Sequence, residues 1–302
     1  MLGLNPCINS TLSCYEGIVA SYLKWIGYTY VMIFENSWGL HFYENIDFNK
    51  PDPLEKYYGI RIKGFGKYLN LGDIHRLIYI DRVPLIVFTN IYDCPWTKAY
   101  RKCCSDHILL ALGIEDDNLL CIDPYFSNNI HHFDSNNVMA EQVVYATFEK
   151  LSENQSENPR FLCDELKNQI CFYHNTNIFS YIELKNNLNI LDIDTETVSK
   201  KEFNALELTF DKNLFLLDRI TKNRLNYIEM LKHINSLNCT YDFHEFTGIL
   251  KKLSMRWSAC RIKLLKYYIS KNNDDHEEFR SMFILLLESE QQLCKNFYEY
   301  FL

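Results

Sequence analysis

After Ser152–Pro159 (SENQSENP), a polar stretch ending in proline, the apolar spacing of the chain turns helical and stays so to its last residue. Lys201–Leu237, Asp242–Lys271 and Asp274–Leu302 each carry apolar residues three and four apart, the period of a helix with one buried face. Asp274 and Asp275 suit the start of the last of these, because acids favour a helix N-terminus. The junction reads as a linker. It divides the 302 residues into a first domain over 1–151 and an all-α domain over 160–302, each long enough for its own core.

The first half is mixed. Cys14–Ile26 places Ile18, Tyr22, Leu23 and Ile26 at helical spacing, with Ser10, Thr11 and Ser13 available as caps. Thr29–Phe34 is a β-branched and aromatic run, which predicts a strand, and Leu71–Ile80 predicts a helix. Pro84–Asn90 reads as a short buried strand opening on a proline. A polar loop over Ile91–Asp106 follows. His107–Ile114 and Leu119–Asp123 then read as two strands joined through Glu115–Asn118 into a hairpin, and Ser135 caps an expected helix over Val138–Leu151. The fold class is therefore α+β, followed by a helical domain.

A formal charge of −8 and a pI near 5.6 argue against broad binding to nucleic acid, which needs a basic surface. Eleven cysteines, an odd number without a CxxC pair, argue for reduced thiols rather than a disulfide scaffold. The opening MLGLNPCINSTLSC has no basic residue and no long apolar run, so no signal peptide is expected. No run elsewhere is long enough for a membrane span. The expectation is a cytoplasmic protein.

The chemistry-bearing residues are a cysteine, a histidine and an aspartate. A thiol attacks only as thiolate, and a helix N-terminus or a neighbouring imidazolium favours that form. Cys14 sits where the first helix begins. His107 opens one strand of the hairpin and Asp123 closes the other, so antiparallel pairing brings imidazole and carboxylate together. A carboxylate beside a histidine fixes its tautomer and stabilises its charged form. The plainer readings are a small buried cysteine at a helix start and a strand-edge histidine held by a turn carboxylate.

The segments Cys14–Tyr43 and Arg82–Asp123 resemble the N-terminal domain of the butirosin biosynthesis protein H family. The resemblance is carried by Cys14, Pro84, Asn90, Tyr92, Pro95, Trp96, Tyr100, His107, Gly113, Asp123 and Pro124. It departs from the family at Ser13, where histidine is frequent, and at Asn90, where aspartate is expected. The resemblance implies a papain-like cysteine acyltransferase in natural-product biosynthesis. In that chemistry an acyl group passes from a carrier-protein thioester to Cys14 and then to an amine acceptor, with Cys14, His107 and Asp123 as the catalytic set. No metal or bound cofactor is called for, since the donor rides on the phosphopantetheine arm of the partner. An oxyanion hole would use the Cys14 amide and a side-chain amide upstream, for which Asn9 is the candidate and a turn-forming Asn the plain alternative.

Tyr92, Trp96 and Tyr100 give the Ile91–Asp106 loop aromatic residues suited to wall a substrate pocket or to pack a surface loop. Lys251, Lys252, Arg256, Arg261, Lys263 and Lys266 make Lys251–Lys271 basic without one acid. This helix either steers an acidic acyl or peptidyl carrier protein or pairs with acids of neighbouring helices. Cys103, Cys104, His107 and Cys121 form a poor zinc set, because adjacent cysteines diverge. His131 and His132 are expected to be solvent-exposed. Two other functions use the same residues: hydrolysis of an amide or thioester, and non-catalytic binding by a papain-like shell.

Overall fold

The computed structural model describes residues 1–39, 52–65, 69–134, 144–176, 208, 211–237 and 241–302. The chain is α+β and divides into two compact units, Met1–Ile33 with Pro51–Ser156, and Phe34–Lys50 with Glu157–Leu302. The division at Ser156 falls inside the polar junction. The second unit also takes in the segment beginning at Phe34, which a single cut in the sequence does not separate.

The first unit is built on a six-stranded antiparallel sheet. Its strands are β1 (Ile60–Gly64), β2 (Leu85–Asn90), β3 (Asp106–Glu115), β4 (Asn118–Ile122), β5 (Ile130–Phe133) and β6 (Val144–Lys150), in the order β1-β6-β2-β3-β4-β5. β3 lies between β2 and β4, and its Leu109–Gly113 are all buried, which is why it reads as a continuous apolar run. The β3–β4 turn closes on Asp116 and Asp117, both at positive φ (47° and 62°), the backbone of a tight two-residue hairpin. The register shifts between Ala111 and Gly113, and the carbonyl of Leu112 at this bulge accepts the amide of Leu2 at 2.8 Å. The N-terminal segment is thereby tied to the sheet that carries His107.

Helix α1 (Cys14–Trp25) packs on β3 and buries Ile18, Val19, Ala20 and Leu23. Ser21 on this helix accepts the Cys7 amide at 2.8 Å, and Tyr22 stacks on Phe148 of β6 with ring centroids 3.7 Å apart. Two short helices follow, α2 (Pro53–Tyr58) and α3 (Leu71–His75), the latter running into a π-helical turn over Arg76–Ile80.

Two local expectations are corrected. Val31–Ser37 is a 3-10 helix, not a strand: its apolar residues Met32 and Phe34 are buried, and the Met32 amide donates to the Tyr58 hydroxyl rather than to a strand. The helix expected over Val138–Leu151 is strand β6 in its described part, and residues 135–143, Ser135 included, lie outside the described residues. Phe148 pairs with Ile62, and Ala146 with Ile86 as well as Gly64, so long-range partners on both edges decide against local spacing.

The second unit is helical: α4 (Pro159–Asn175), α5 (Lys212–Ser236), α6 (His244–Ser270) and α7 (Asn273–Tyr300). α4 is capped by Asn158 with Pro159 in its first turn, and α7 by Asn272 with Asp274 and Asp275 following. α6 packs between α5 and α7. At its centre Glu290 of α7, fully buried, accepts from Trp257 Nε1 and Arg224 Nε at 2.8 Å and from Trp38 Nε1 at 2.7 Å. Trp38 so anchors the segment after Phe34 in this unit. Cys163 on α4 is disulfide-bonded, which corrects the expectation of thiols throughout; nine described cysteines are free. Among the described residues no helix is long and apolar enough to cross a membrane.

The terminal nitrogens of Arg224 are buried without hydrogen-bond partners, so its charge leans on Glu290. Glu290→Ala should destabilise the protein by about 3–5 kcal/mol, read from urea unfolding followed by tryptophan fluorescence, because it strands a buried guanidinium. The pair Arg224→Met with Glu290→Gln, which removes both charges and keeps an acceptor for the indoles, should recover much of that loss. A loss below about 1 kcal/mol for the single variant would show that the cluster is not a stability centre.

Candidate active site

Ser13 caps α1 through a reciprocal pair: its hydroxyl accepts the Glu16 amide at 3.2 Å while its own amide donates to Glu16 Oε2 at 2.7 Å. Cys14 is therefore held at the first helical position, where the backbone amides have no intrahelical carbonyl to meet. Its side chain is partly exposed.

His107 comes from the second position of β3, opposite Thr89 of β2. Leu110 pairs with Ile122. Carried one step further, that register sets Asp123 beside Leu109 and diagonal to His107 on the same face. His107 Nε2 and Asp123 Oδ2 are 2.9 Å apart, with His107 4% and Asp123 0% exposed. The Cys14 side chain lies near the same imidazole and acts on its charge. The fold thus brings Cys14, His107 and Asp123 into one chain of contacts.

Burial disfavours a charged imidazole, but the hydrogen bond to Asp123, the charge of Asp123 and the neighbouring Cys14 sulfur outweigh it, lifting His107 to about 9. Burial pushes the thiols of Cys94 and Cys121 well up, with Asp123 nearby adding to it, so these two are poor nucleophiles. Burial likewise pushes Cys260 and Cys294 up to about 12.

The three aromatic residues of the Ile91–Asp106 loop part company. Trp96 donates its indole N–H to Asp123 Oδ2 at 2.7 Å, on the same oxygen that His107 uses. Tyr92 and Tyr100 turn their rings to the guanidinium of Arg101, at 5.0 and 5.3 Å. Asn90 closes this loop, its Oδ1 accepting from the amides of Tyr92 and Ser105. Asn9 sits in a turn of its own, Oδ1 accepting from the Thr11 amide and hydroxyl at 3.1 and 2.9 Å.

Several residues at the site escaped the sequence reading. His131 is half-buried, stacked on Trp96 with centroids 4.2 Å apart and bonded to Ser127 Oγ at 2.9 Å, while burial holds it below the usual imidazole value. His132 is exposed. Tyr125 and Phe126 pack on the ring of His107 with centroids 6.5 and 5.3 Å away. The only signal for these in the sequence was their place directly after Asp123-Pro124. Gly17, one turn into α1, lies so close to Pro124 that a Cβ there would come within 3.1 Å of the proline Cβ. This approach sets how near the start of α1 comes to the Asp123 corner.

Among the described residues no group of three or more His, Cys, Asp or Glu is placed to hold a metal ion. A scan of the chain against protein-family models gives no match, and a search of curated proteins gives none either.

The basic residues of α6 are partly neutralised within their own unit. Arg261 pairs with Asp218 at 2.9 Å, Lys266 with Asp275 at 2.5 Å, and Lys263 with Glu278. Arg256 reaches Ser289 Oγ, and Lys251 and Lys252 are exposed.

Gly17→Ala gains about 0.8–1 kcal/mol of helix propensity, which offsets much of the contact with Pro124. Folding stability should therefore stay close to wild type while α1 shifts, and alkylation of Cys14 by iodoacetamide should slow by roughly tenfold or more. An unchanged rate would mean that the approach does not position Cys14. For His107, the folded pKa lies above the unfolded value near ~6.5, so its stabilising contribution is full below that value and is lost as pH rises through about 9. The wild-type unfolding midpoint should fall between about pH 7 and 9.5, and Asp123→Asn, which removes the strongest contact raising the pKa, should flatten that dependence. Equal slopes would show that Asp123 does not hold the imidazolium.

Proposed function

We propose that this chain is a papain-like cysteine acyltransferase of two domains. The observation that supports this best is Cys14, first residue of a capped helix, near an imidazole whose Nε2 is held by buried Asp123. A catalytic thiol needs a proton acceptor near it, an imidazole held in one orientation, and helix-start amides at its own position, and the placement of Cys14, His107 and Asp123 supports that reading.

In the first step His107 takes the proton of Cys14, the thiolate attacks a thioester carbonyl, and the amides at the start of α1 receive the developing oxyanion. The thioester C–S bond breaks and His107 gives its proton to the departing thiolate. An amine then attacks the acyl-Cys14 carbonyl, His107 takes the amine proton, and that proton returns to the Cys14 sulfur as the amide leaves. Thioester exchange is nearly balanced in energy and amide formation is downhill, so the sequence of steps calls for no nucleotide. Asn9 is the proposed side-chain donor to the oxyanion, through Nδ2, its Oδ1 being used by Thr11. Trp96 acts through Asp123, as a positioning residue.

The donor is proposed to be an acyl or peptidyl carrier protein presenting a phosphopantetheine arm. With Arg261, Lys263 and Lys266 already paired, Lys251, Lys252 and Arg256 are the cations of α6 left to meet its acidic surface. Free thiols at nine described cysteines, against one in a disulfide, favour a reducing, cytoplasmic setting.

The test is intact mass of wild type, Cys14→Ser and Cys14→Ala after incubation with acyl-loaded carrier protein or a simple acyl thioester. One added acyl group on wild type alone, discharged faster by amine than by water, is the expected result. Discharge to water without amine preference would make the chain a hydrolase, and turnover by Cys14→Ala would end the mechanism.

A further inference from the structure

Beyond β4 the chain turns back at once: the amides of Phe126 and Ser127 donate to the carbonyl of Asp123 at 3.2 and 3.0 Å. The turn presents Tyr125 and Phe126 over His107. Their rings meet edge-on with centroids 4.9 Å apart, and each residue keeps 40% of its surface exposed. Leaving two large aromatic rings half open to water forgoes burial that a folded chain otherwise seeks. The pair is also braced. Ser127 is bonded to His131, His131 is stacked on Trp96, and Trp96 is bonded to Asp123, so the turn is fixed to the same carboxylate that holds His107. A preformed apolar surface binds without the cost of being ordered first.

Its place beside the imidazole says what it meets. In a transfer through acyl-Cys14, His107 delivers a proton to the leaving thiolate and takes one from the incoming amine, so groups packed on its ring line the path of the acceptor. We propose that Tyr125 and Phe126 form an acceptor platform for primary amines carrying an aromatic or apolar substituent. This rests on the acyl-transfer reading above and names the chemical class of its second substrate. The amine must arrive uncharged to attack; an apolar substituent covering the two rings displaces water from the acyl-enzyme and favours that form. In the step itself the amine nitrogen bonds to the acyl carbon, the C–S bond to Cys14 breaks, and the amine proton passes through His107 to the sulfur.

The experiment uses preformed acyl-enzyme of the full chain and measures the ratio of amide to free acid released with benzylamine and with 2-methoxyethylamine, two primary amines of similar basicity. Wild type should favour benzylamine by roughly fivefold to tenfold, and Phe126→Ala and Tyr125→Ala should each bring that preference close to one. Because the ratio is read after acylation, it does not depend on how fast Cys14 is loaded. Phe126→Leu, which keeps apolar area without the ring, should retain part of the preference and guards against a folding defect. Equal use of the two amines by wild type, or an unchanged preference in Phe126→Ala, overturns the platform while leaving acyl transfer standing. Failure to form acyl-enzyme from any thioester removes the transferase reading and the platform as its acceptor site together. Saturable protection of Cys14 from iodoacetamide by benzylamine, lost in Phe126→Ala, is expected independently of turnover, and its absence from wild type overturns the platform.

Discussion

A carboxylate withdrawn from water must be matched by donors or it will not stay charged, and Asp123 meets this demand through a single oxygen. Oδ2 accepts from His107 and from Trp96, while Oδ1 is buried without a hydrogen-bond partner. The asymmetry concentrates the acceptor strength where the imidazole binds. It also explains why the His107 pKa is lifted although almost no water reaches the ring, since burial by itself pushes an imidazole the other way. The loop bearing Trp96, the turn bearing Tyr125 and Phe126, and strand β5 with His131 all converge on this residue.

Cys14 reaches that centre by a different route. The N-terminal segment is tied to the β3 bulge through Leu2 and to α1 through Cys7 and Ser21, so α1 is placed by the sheet that carries His107. Ser13 and Glu16 decide where the helix starts, and Gly17 decides how close that start lies to Pro124. A glycine inside a helix costs stability in isolation, and here the missing side chain is what lets backbone and proline meet. Local stability is given up for the distance between a thiol and an imidazole.

What could be read in advance follows the range of the interactions concerned. The capped start at Cys14, the hairpin through Asp116-Asp117 and the closeness of His107 to Asp123 depend on neighbours within about twenty residues, and the residue pattern carried them. β6 was legible only as a periodic run, because its strand state is imposed by β1 and β2, about 60–90 residues away. The entry of Trp38 into the helical unit rests on Glu290, 252 residues on, and no spacing rule reaches that far. At the site, aromatic residues in a loop looked alike. Trp96 serves Asp123 whereas Tyr92 and Tyr100 serve Arg101, and only the fold of the loop about Asn90 separates them.

The two units solve the same problem with the same parts and different outcomes. Three of the four tryptophans donate an indole N–H to a buried carboxylate: Trp38 and Trp257 to Glu290, and Trp96 to Asp123. In each case a nitrogen base completes the set, Arg224 in the helical unit and His107 in the sheet unit. A guanidinium does not lose its proton in the working range of a protein, so the Glu290 cluster is fixed in charge and can only hold structure. An imidazole can give its proton away, and this one stands between a carboxylate and a partly exposed thiol. The difference between a core and a candidate reaction centre comes down to which cation the carboxylate was given.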